Sequence, residues 1–518
     1  MKINKLIIAF IMLGMFSFSG CQKYLDLDPL SKANGEQIWG TASGTRQLLA
    51  GTYSLFRRTL LTERPFYLYG DLPSQTVLVH NHWIPNYAYS GNYAGAYLYD
   101  WWVDWTPYYQ IITTASTILN HIDDLSDTDF NEDTATGHEE KMQIKAEAHF
   151  LYAYTYFWLT RIYCDVPLVK ESIESVDQAL SEGSTIGKAQ SSQQDILEYC
   201  LEHLDAAIVN LDYTSSTSDQ YAIRADKAAA LSLKADVCLW LANCYKDDNT
   251  KYIELVQMAD DCLATVIAES GRSLVDYSDE NAVTQMFEGR SSEGIFELNV
   301  SIDQSETYWM NYGWHIHART WWSENYTNTS LTGSPQSNLM VADASLSQAL
   351  YSERDIRREL FFENFGNSNT HTTQPPMLKK YSTGQQEDPN NKGAYFANSN
   401  VLLMRLTGIY LLRAEALYKL GRTGNARSLL NEIRNRSGIG NFNGSDTDLL
   451  GAIFDERARE LVGEGQIAFD RIRNDYWEGC SWYSAERISK KGQYWPVHTD
   501  LFSANRELVQ IPYWQGQI

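Results

Sequence analysis

The 518-residue chain lacks the short motifs that mark common catalytic machinery. It contains no G-x-S-x-G elbow and no P-loop, and Gly438-x-Gly440-x-x-x-Gly444 follows a helical pattern, not a strand, and misses the dinucleotide spacing. Its seven cysteines include no C-x-x-C pair, which argues against a thiolate zinc site. Positive charge is short: 42 Lys and Arg against 65 Asp and Glu give −23, a balance that repels phosphate backbones and excludes nucleic acid as a natural partner. Past the first twenty residues no apolar run is long enough to span a bilayer. With 44% hydrophobic and 21% charged residues the chain is an ordinary globular one, and its length supplies ample buried core.

The amino end reads as an export signal. Lys2 and Lys5 precede the apolar run Leu6 to Phe18, which is too short for a stable transmembrane helix. The run closes on Phe18-Ser19-Gly20-Cys21, where small residues directly before a cysteine resemble a bacterial lipobox. Residues 1–20 are therefore expected to be a lipoprotein signal peptide and Cys21 an acylated lipid anchor. Several acyl chains, at about 0.8 kcal/mol per buried CH₂, hold a protein on a membrane where one does not. The remaining cysteines (Cys164, Cys200, Cys238, Cys244, Cys262 and Cys480) are expected to be small buried apolar residues rather than a disulfide framework.

Helical periodicity dominates the rest. Lys145–Tyr163 is apolar nearly all round and should be buried on several sides, ending where Pro167 blocks continuation. Further helical patterns cover 111–125, 194–211, 227–245, 252–268, 402–420, 423–436 and 449–471. Two hairpins are of tetratricopeptide type: 228–245 with 252–267, and Ala414–Leu420 with Ala426–Ile433 across Gly421, a position suited to a left-handed turn. Such pairs bury their faces by stacking, so the fold class is mostly α, a scaffold of helix pairs. Stretches 62–104 and 270–400, rich in Gly, Asn, Ser and Tyr, read as long loops with short strands. The expected divisions are 21–215 and 216–518.

These elements occur within a recognisable series. Tyr24-Leu25-Asp26-x-x-Pro29 follows the lipobox, then Trp105-Thr-Pro-Tyr108-Tyr109 leading to Ile112, Ala115, Ile118 and Leu119. Lys145-Ala146-Glu147-Ala148-x-Phe150-Leu151 closes on Asp165-Val166-Pro167-Leu168-Val169. Leu403-Met404-Arg405-Leu406 leads to Leu412-Arg413-Ala414-Glu415-Ala416, then Asn431-x-Ile433-Arg434-x-Arg436-Ser437-Gly438 and Glu456-Arg457-x-x-Glu460-Leu461-x-x-Glu464-Gly465. Taken in this order, the chain resembles the SusD/RagB family, surface nutrient-binding lipoproteins of Bacteroidota. It departs at Ile467, where the family usually has Arg, and in ending on Leu508-Val509-Gln510-Ile511-Pro512 without the usual Asn-Pro close. The resemblance implies four tetratricopeptide-like helix pairs with a large irregular C-terminal, loop-rich region. It implies a lipid-anchored protein on the outer membrane facing the cell exterior, which binds a glycan without catalysis or cofactor. It further implies delivery of that oligosaccharide to a SusC-type TonB-dependent transporter. Some relatives capture peptides, so a peptide-binding or protein-interaction scaffold is the alternative, with a surface glycoside hydrolase behind it.

The motif carboxylates Glu147, Glu415 and Glu456 sit on apolar helices with Arg405, Arg434 and Arg457 in reach, which points to buried ion pairs rather than catalysis. The ligand surface is expected in the loops. Phe66 to Tyr109 holds 14 aromatics in 44 residues, including Trp83, Tyr87, Tyr89, Tyr93, Trp101, Trp102 and Trp105, the last assigned to the scaffold. Tyr308 to Trp322 holds six in 15: Tyr308, Trp309, Tyr312, Trp314, Trp321 and Trp322. An indole face stacks on the C–H face of a pyranose while amides, carboxylates and guanidinium groups bond its hydroxyls. Trp83, Trp101, Trp102, Trp309, Trp314, Trp321 and Trp322 are the candidate platforms, with Asn81, Asp100, Asn311 and Arg319 as polar partners. His80-x-His82 and His315-x-His317 lack a third metal ligand, and Asp127-x-Asp129-x-Asn131-x-Asp133 has Glu132 where an EF-hand needs Gly, so no metal is expected.

Overall fold

The computed structural model describes residues 39–79, 86–95, 99–100, 102–170, 187–300, 340–342, 350–363, 365, 377–378, 380–381, 385–387, 395–397 and 399–518. Ten helices carry the scaffold: α1 (Ala42–Arg58), α2 (Thr106–His121), α3 (Thr134–Tyr163), α4 (Gln193–Asn210), α5 (Lys227–Cys244), α6 (Asn249–Glu269), α7 (Leu406–Lys419), α8 (Thr423–Arg436), α9 (Leu449–Glu460) and α10 (Ile467–Asn474). Each packs on its sequence or spatial neighbour in a row, α1 on α2 and α3, α2 on α3, α3 on α4, α4 on α5, α5 on α6, α6 on α7, and α7 on α8 and α9. The two expected hairpins are α5 with α6 and α7 with α8, the second turning at Gly421 with φ +73°.

α3 lies at the centre, and every residue from Phe150 to Tyr163 is buried. A helix without a polar stripe must be covered on all sides, and α2 and α4 flank it while Phe296 closes on Phe150 and Tyr154. One hydrophobic core runs without interruption from Ala42 to Trp514, and a smaller one lies under α7, α8 and α9. The acidic run before α3 is a set of caps: Ser126 donates to Asp129, and the Asp133 carboxylate accepts from Ala135 N–H. The six cysteines of the described body are unpaired, five of them buried.

Two expected helices are divided. Residues 402–405 belong to a strand, β2 (Val401–Arg405), which pairs antiparallel with β1 (Gly294–Leu298) before α7 begins. A short apolar run buried on both sides carries no period that separates strand from helix. The 449–471 pattern breaks between α9 and α10, where Gly463 and Gly465 take φ of +77° and +73°. That break meets the N-terminal half. Asp71 accepts from Gly463 N–H at 3.2 Å and Gly465 N–H at 2.7 Å, and a Cβ on Gly70 would lie 2.0 Å from Gly465 O. Replacing Gly70 with Ala is expected to cost about 3 kcal/mol or more by forcing these backbones apart, seen as a lowered calorimetric melting temperature.

Between α3 and α4 a half-buried His149 meets a buried His203, their Nδ1 atoms 2.9 Å apart, with Tyr152 stacked on His203 at 4.3 Å. Burial pushes His149 down to about 4 and His203 down to about 3, with Lys145 adding to the first and His149 to the second. Above pH 6.5 both rings are neutral in either state. Below it the unfolded chain takes up protons that the folded pair refuses, so stability falls as pH drops from about 6.5 toward 3. Urea unfolding at pH 7 and pH 5 should show this loss, and His203→Phe should reduce the difference between the two.

Candidate functional site: an aromatic shelf on a rigid base

The C-terminal segment folds back onto the aromatic-rich 66–105 region. Arg487, 5% exposed, sits inside a cage of rings, its guanidinium carbon 5.1 Å from Tyr93, 4.5 Å from Trp482, 4.8 Å from Tyr513 and 5.2 Å from Trp514. It also donates to Gly91 O at 2.7 Å and Gly492 O at 2.8 Å, tying both chain segments to one charge. Tyr93 stacks on Trp495 at 4.4 Å with planes 1° apart, and Trp495 meets Tyr69 edge-on at 4.7 Å. Trp482 Nε1 donates to Pro73 O at 2.9 Å and Gln75 Nε2 to Ser481 Oγ at 2.8 Å. Residues about 400 positions apart thus form one rigid base.

A three-ring shelf stands on this base. Trp477 lies 5.6 Å from Trp482 in an edge contact and 5.7 Å from Tyr483 with planes 16° apart. Exposure rises outward: Trp482 and Trp477 are half-buried, and Tyr483 is 43% exposed. Arg471 donates to Glu478 O at 2.6 Å, fixing the turn, while Tyr476 OH reaches the exposed Glu478 carboxylate at 3.3 Å. Rings fixed in place with a free face and a carboxylate beside them can cover the apolar face of a sugar and bond its hydroxyls.

Of the candidate residues named from sequence, Asn81, Trp83, Trp101, Trp309, Trp314, Arg319, Trp321 and Trp322 lie outside the described residues, as do Cys21, Tyr308, Asn311, Tyr312 and the His80/His82 and His315/His317 pairs. Asp100 is described and exposed. Trp102 is 2% exposed, packed in the continuous core, so the expectation that it forms a platform is corrected. Its neighbours explain this: Tyr69 OH donates to Trp102 O, and Tyr163 OH donates to Val103 O at 2.9 Å, fastening this segment to the scaffold. Trp105 is buried, as expected of a scaffold residue, and Tyr87 and Tyr89 are half-buried. The shelf residues Trp477, Trp482 and Tyr483 were missed. The run Tyr476-Trp477-Glu478-Gly479-Cys480-Ser481-Trp482-Tyr483 carries an aromatic density higher than that of the two loops, and that density was the available signal.

The motif carboxylates are spent on structure. Glu147 accepts from Arg224 and Tyr53, both at 2.6 Å, Glu415 from Arg473 at 2.7 Å, and Glu456 from Arg357 and Arg459, both at 2.7 Å. Burial works to raise Glu415, but Arg473 and Lys419 overcome it and hold its pKa far below the ordinary range. Asp71 moves oppositely, pushed up by burial to about 8 against the two N–H donors. Among the described residues no group of three His, Cys, Asp or Glu side chains is arranged to hold a metal, and no helix is long and apolar enough to cross a membrane. A separate groove of about 600 Å³ is lined by Glu353, Arg354, Asp355, Ile356, Arg358, Glu359, Phe362 and Phe365; its rim is charged, and Arg358 lies 4.8 Å over Phe365. The shelf and the base differ in their expected response to truncation. Trp102→Ala should cost about 3–5 kcal/mol in urea unfolding, and Tyr483→Ala within about 0.5 kcal/mol of nothing.

Comparison with known proteins follows the same outline. Residues 284–487 match the family model described as SusD family, and residues 24–239 match one described as starch-binding associating with outer membrane. SusD-like protein P38 of Formosa agariphila is 24% identical over 513 residues, covering 90% of each chain. A SusD-like protein of Bacteroides ovatus is 21% identical over 398 residues, 73% of this chain and 65% of the relative. Among solved structures, a SusD homolog from Bacteroides thetaiotaomicron superposes with a TM-score of 0.73 at 23% identity, covering 91% of this chain and 98% of that one. NanU of B. fragilis superposes with a TM-score of 0.70 at 18% identity, covering 94% and 99%.

Proposed function

Because the chain belongs to the SusD/RagB family, we propose that it is a surface glycan-binding protein that holds oligosaccharide without cleaving it. In this reading Cys21 carries the lipid that tethers it to the outer membrane, outward-facing, and a SusC-type TonB-dependent transporter receives the ligand. The observation that carries the reading is the shelf of Trp477, Trp482 and Tyr483, whose outer ring is open to solvent on a base locked by Arg487. Binding without chemistry is favoured because the motif carboxylates are engaged by arginines and so unavailable as acid or base. Trp83, Trp101, Trp309, Trp314, Trp321 and Trp322, with Asn81, Asp100 and Arg319, complete the proposed ligand surface.

Covering ~100 Å² of sugar face at ~25 cal/mol/Å² contributes about 2.5 kcal/mol per platform, so two or three platforms give millimolar to tens-of-micromolar binding. Such affinity suits a protein that must release its ligand to a transporter. Native gels cast with a panel of polysaccharides test the proposal. At least one should retard the protein, and Trp477→Ala/Tyr483→Ala and Trp321→Ala/Trp322→Ala should each weaken retardation about tenfold without change in melting temperature. Indifference to every polysaccharide would remove the glycan reading in favour of a peptide or protein ligand. Release of reducing ends on incubation would remove the non-catalytic one.

A further inference from the structure

A second ionic cluster lies beneath the surface, between α3, α5, α7, α9 and α10, apart from the aromatic shelf. Arg473 reaches Glu415 at 2.7 Å, Asp470 at 2.7 Å and Asp236 at 2.8 Å. Arg457 pairs with Asp470 at 2.6 Å and Lys419 with Glu415 at 3.3 Å. Arg161 is the fourth cation, and among the described residues its only carboxylate contact within 4 Å is Nη1 to Asp236 at 3.9 Å, already engaged by Arg473. Among the described residues four cations therefore share three carboxylates, and one buried positive charge is left over.

The surplus sits at Arg161, whose side chain is 1% exposed. Its guanidinium carbon lies 4.2 Å from the Phe157 ring, 4.5 Å from Trp158 and 4.3 Å from Phe469. Aromatic faces can partly balance the charge but accept no strong hydrogen bond. Nε and Nη2 have no hydrogen-bond partner among the described residues, and neither does the buried Ser232 Oγ. On a planar guanidinium Nε–H and the neighbouring Nη2–H lie along one edge, the fork that grips an anion. Arg161 and Ser232 line the same cavity, with the cations Arg405 and Arg457 and the carboxylates Asp236 and Glu464 also on its wall. Its volume is about 40 Å³. A water needs roughly 10–15 Å³ on this measure, so the space suits a monatomic ion or a few waters and excludes a phosphate, sulfate or sugar.

We propose that this cavity is a binding site for a monovalent halide, chloride in its natural setting, held by the Arg161 Nε/Nη2 edge and the Ser232 hydroxyl. The halide neutralises the surplus charge and satisfies three donors that would otherwise be buried without partners. It braces the contact between α3, α5 and the C-terminal helices that carry the ligand surface. The inference is independent of which ligand the shelf takes.

Crystals of the whole chain soaked in sodium bromide test it directly. An anomalous peak should appear within hydrogen-bond reach of Arg161 and Ser232. In solution, wild-type melting temperature should rise saturably by roughly 1–3 °C on replacing acetate with bromide at constant ionic strength. Arg161→Met, which leaves three cations against three carboxylates, should lose that dependence, and Ser232→Ala should shift its midpoint to higher bromide. Should Arg161→Met fail to fold, the Ser232→Ala titration and the anomalous map carry the comparison. Density that refines as water with no anomalous signal, or identical bromide dependence in wild type and Ser232→Ala, overturns the proposal.

Discussion

The fold depends on where buried charge is matched. Arg405, at the end of β2, bonds Glu464 at 3.0 Å, Glu293 at 3.2 Å and Glu460 O at 2.8 Å. Arg436 joins Glu293 to Glu460, and Lys380 joins Glu464 at 2.6 Å to Glu460 O. Arg357 extends the set to Glu456 and Asp355. These side chains come from α8, α9, β2, the strand entry at 293 and the segments around 357 and 380, so the elements are mutually committed. A hydrophobic contact tolerates sliding, whereas a buried carboxylate that loses its arginine costs about 3–5 kcal/mol. Burial works to raise Glu460, yet Arg436, Arg357 and Arg405 bring it down to about 2, the sign of a charge more at home inside this protein than in water.

The same logic divides the arginines by role. Arg487 is caged by rings and, among the described residues, its side chain donates only to backbone carbonyls, so it welds two distant stretches of chain where a carboxylate would add a second desolvation cost. Arg405 sits among carboxylates and fixes helices. Arg161 has rings on three sides, and its Nε and Nη2 have no acceptor among the described residues.

The abundance of tyrosine and tryptophan likewise serves two ends. Tyr93, Trp102, Trp158, Trp495 and Trp514 are all at most 2% exposed; Tyr93, Trp495 and Trp514 build the base, and Trp102 and Trp158 fill the core. Trp477 and Tyr483 use the same chemistry at the boundary with solvent. What separates the groups is how many neighbouring segments close over each ring. Trp495 receives Tyr69 and Tyr93 from one side of the chain while its backbone N–H reaches Ile162 O on α3, and nothing in its local sequence announces either contact.

Helix existence was legible because it is a local matter: the spacing of apolar residues and the turn at Gly421 each act within a few positions. Legible too was that Glu147, Glu415 and Glu456 would find arginines, since an unpaired carboxylate is too costly to bury. Which arginine each found was legible only at Glu456, where the expected Arg434 lies 3.6 Å away. Arg224, Arg473 and Arg357 were unremarked in their own stretches and become partners only when the helices stack. The β2 strand hid inside a helical reading because burial on both faces erases period, and the break between α9 and α10 became visible only where Gly70 and Asp71 press against it. Composition alone pointed to aromatic platforms, but only the tertiary packing decided that Trp102 lies inside, fastened by Tyr69 and α3, and Tyr483 outside, because exposure depends on segments that are not neighbours in sequence.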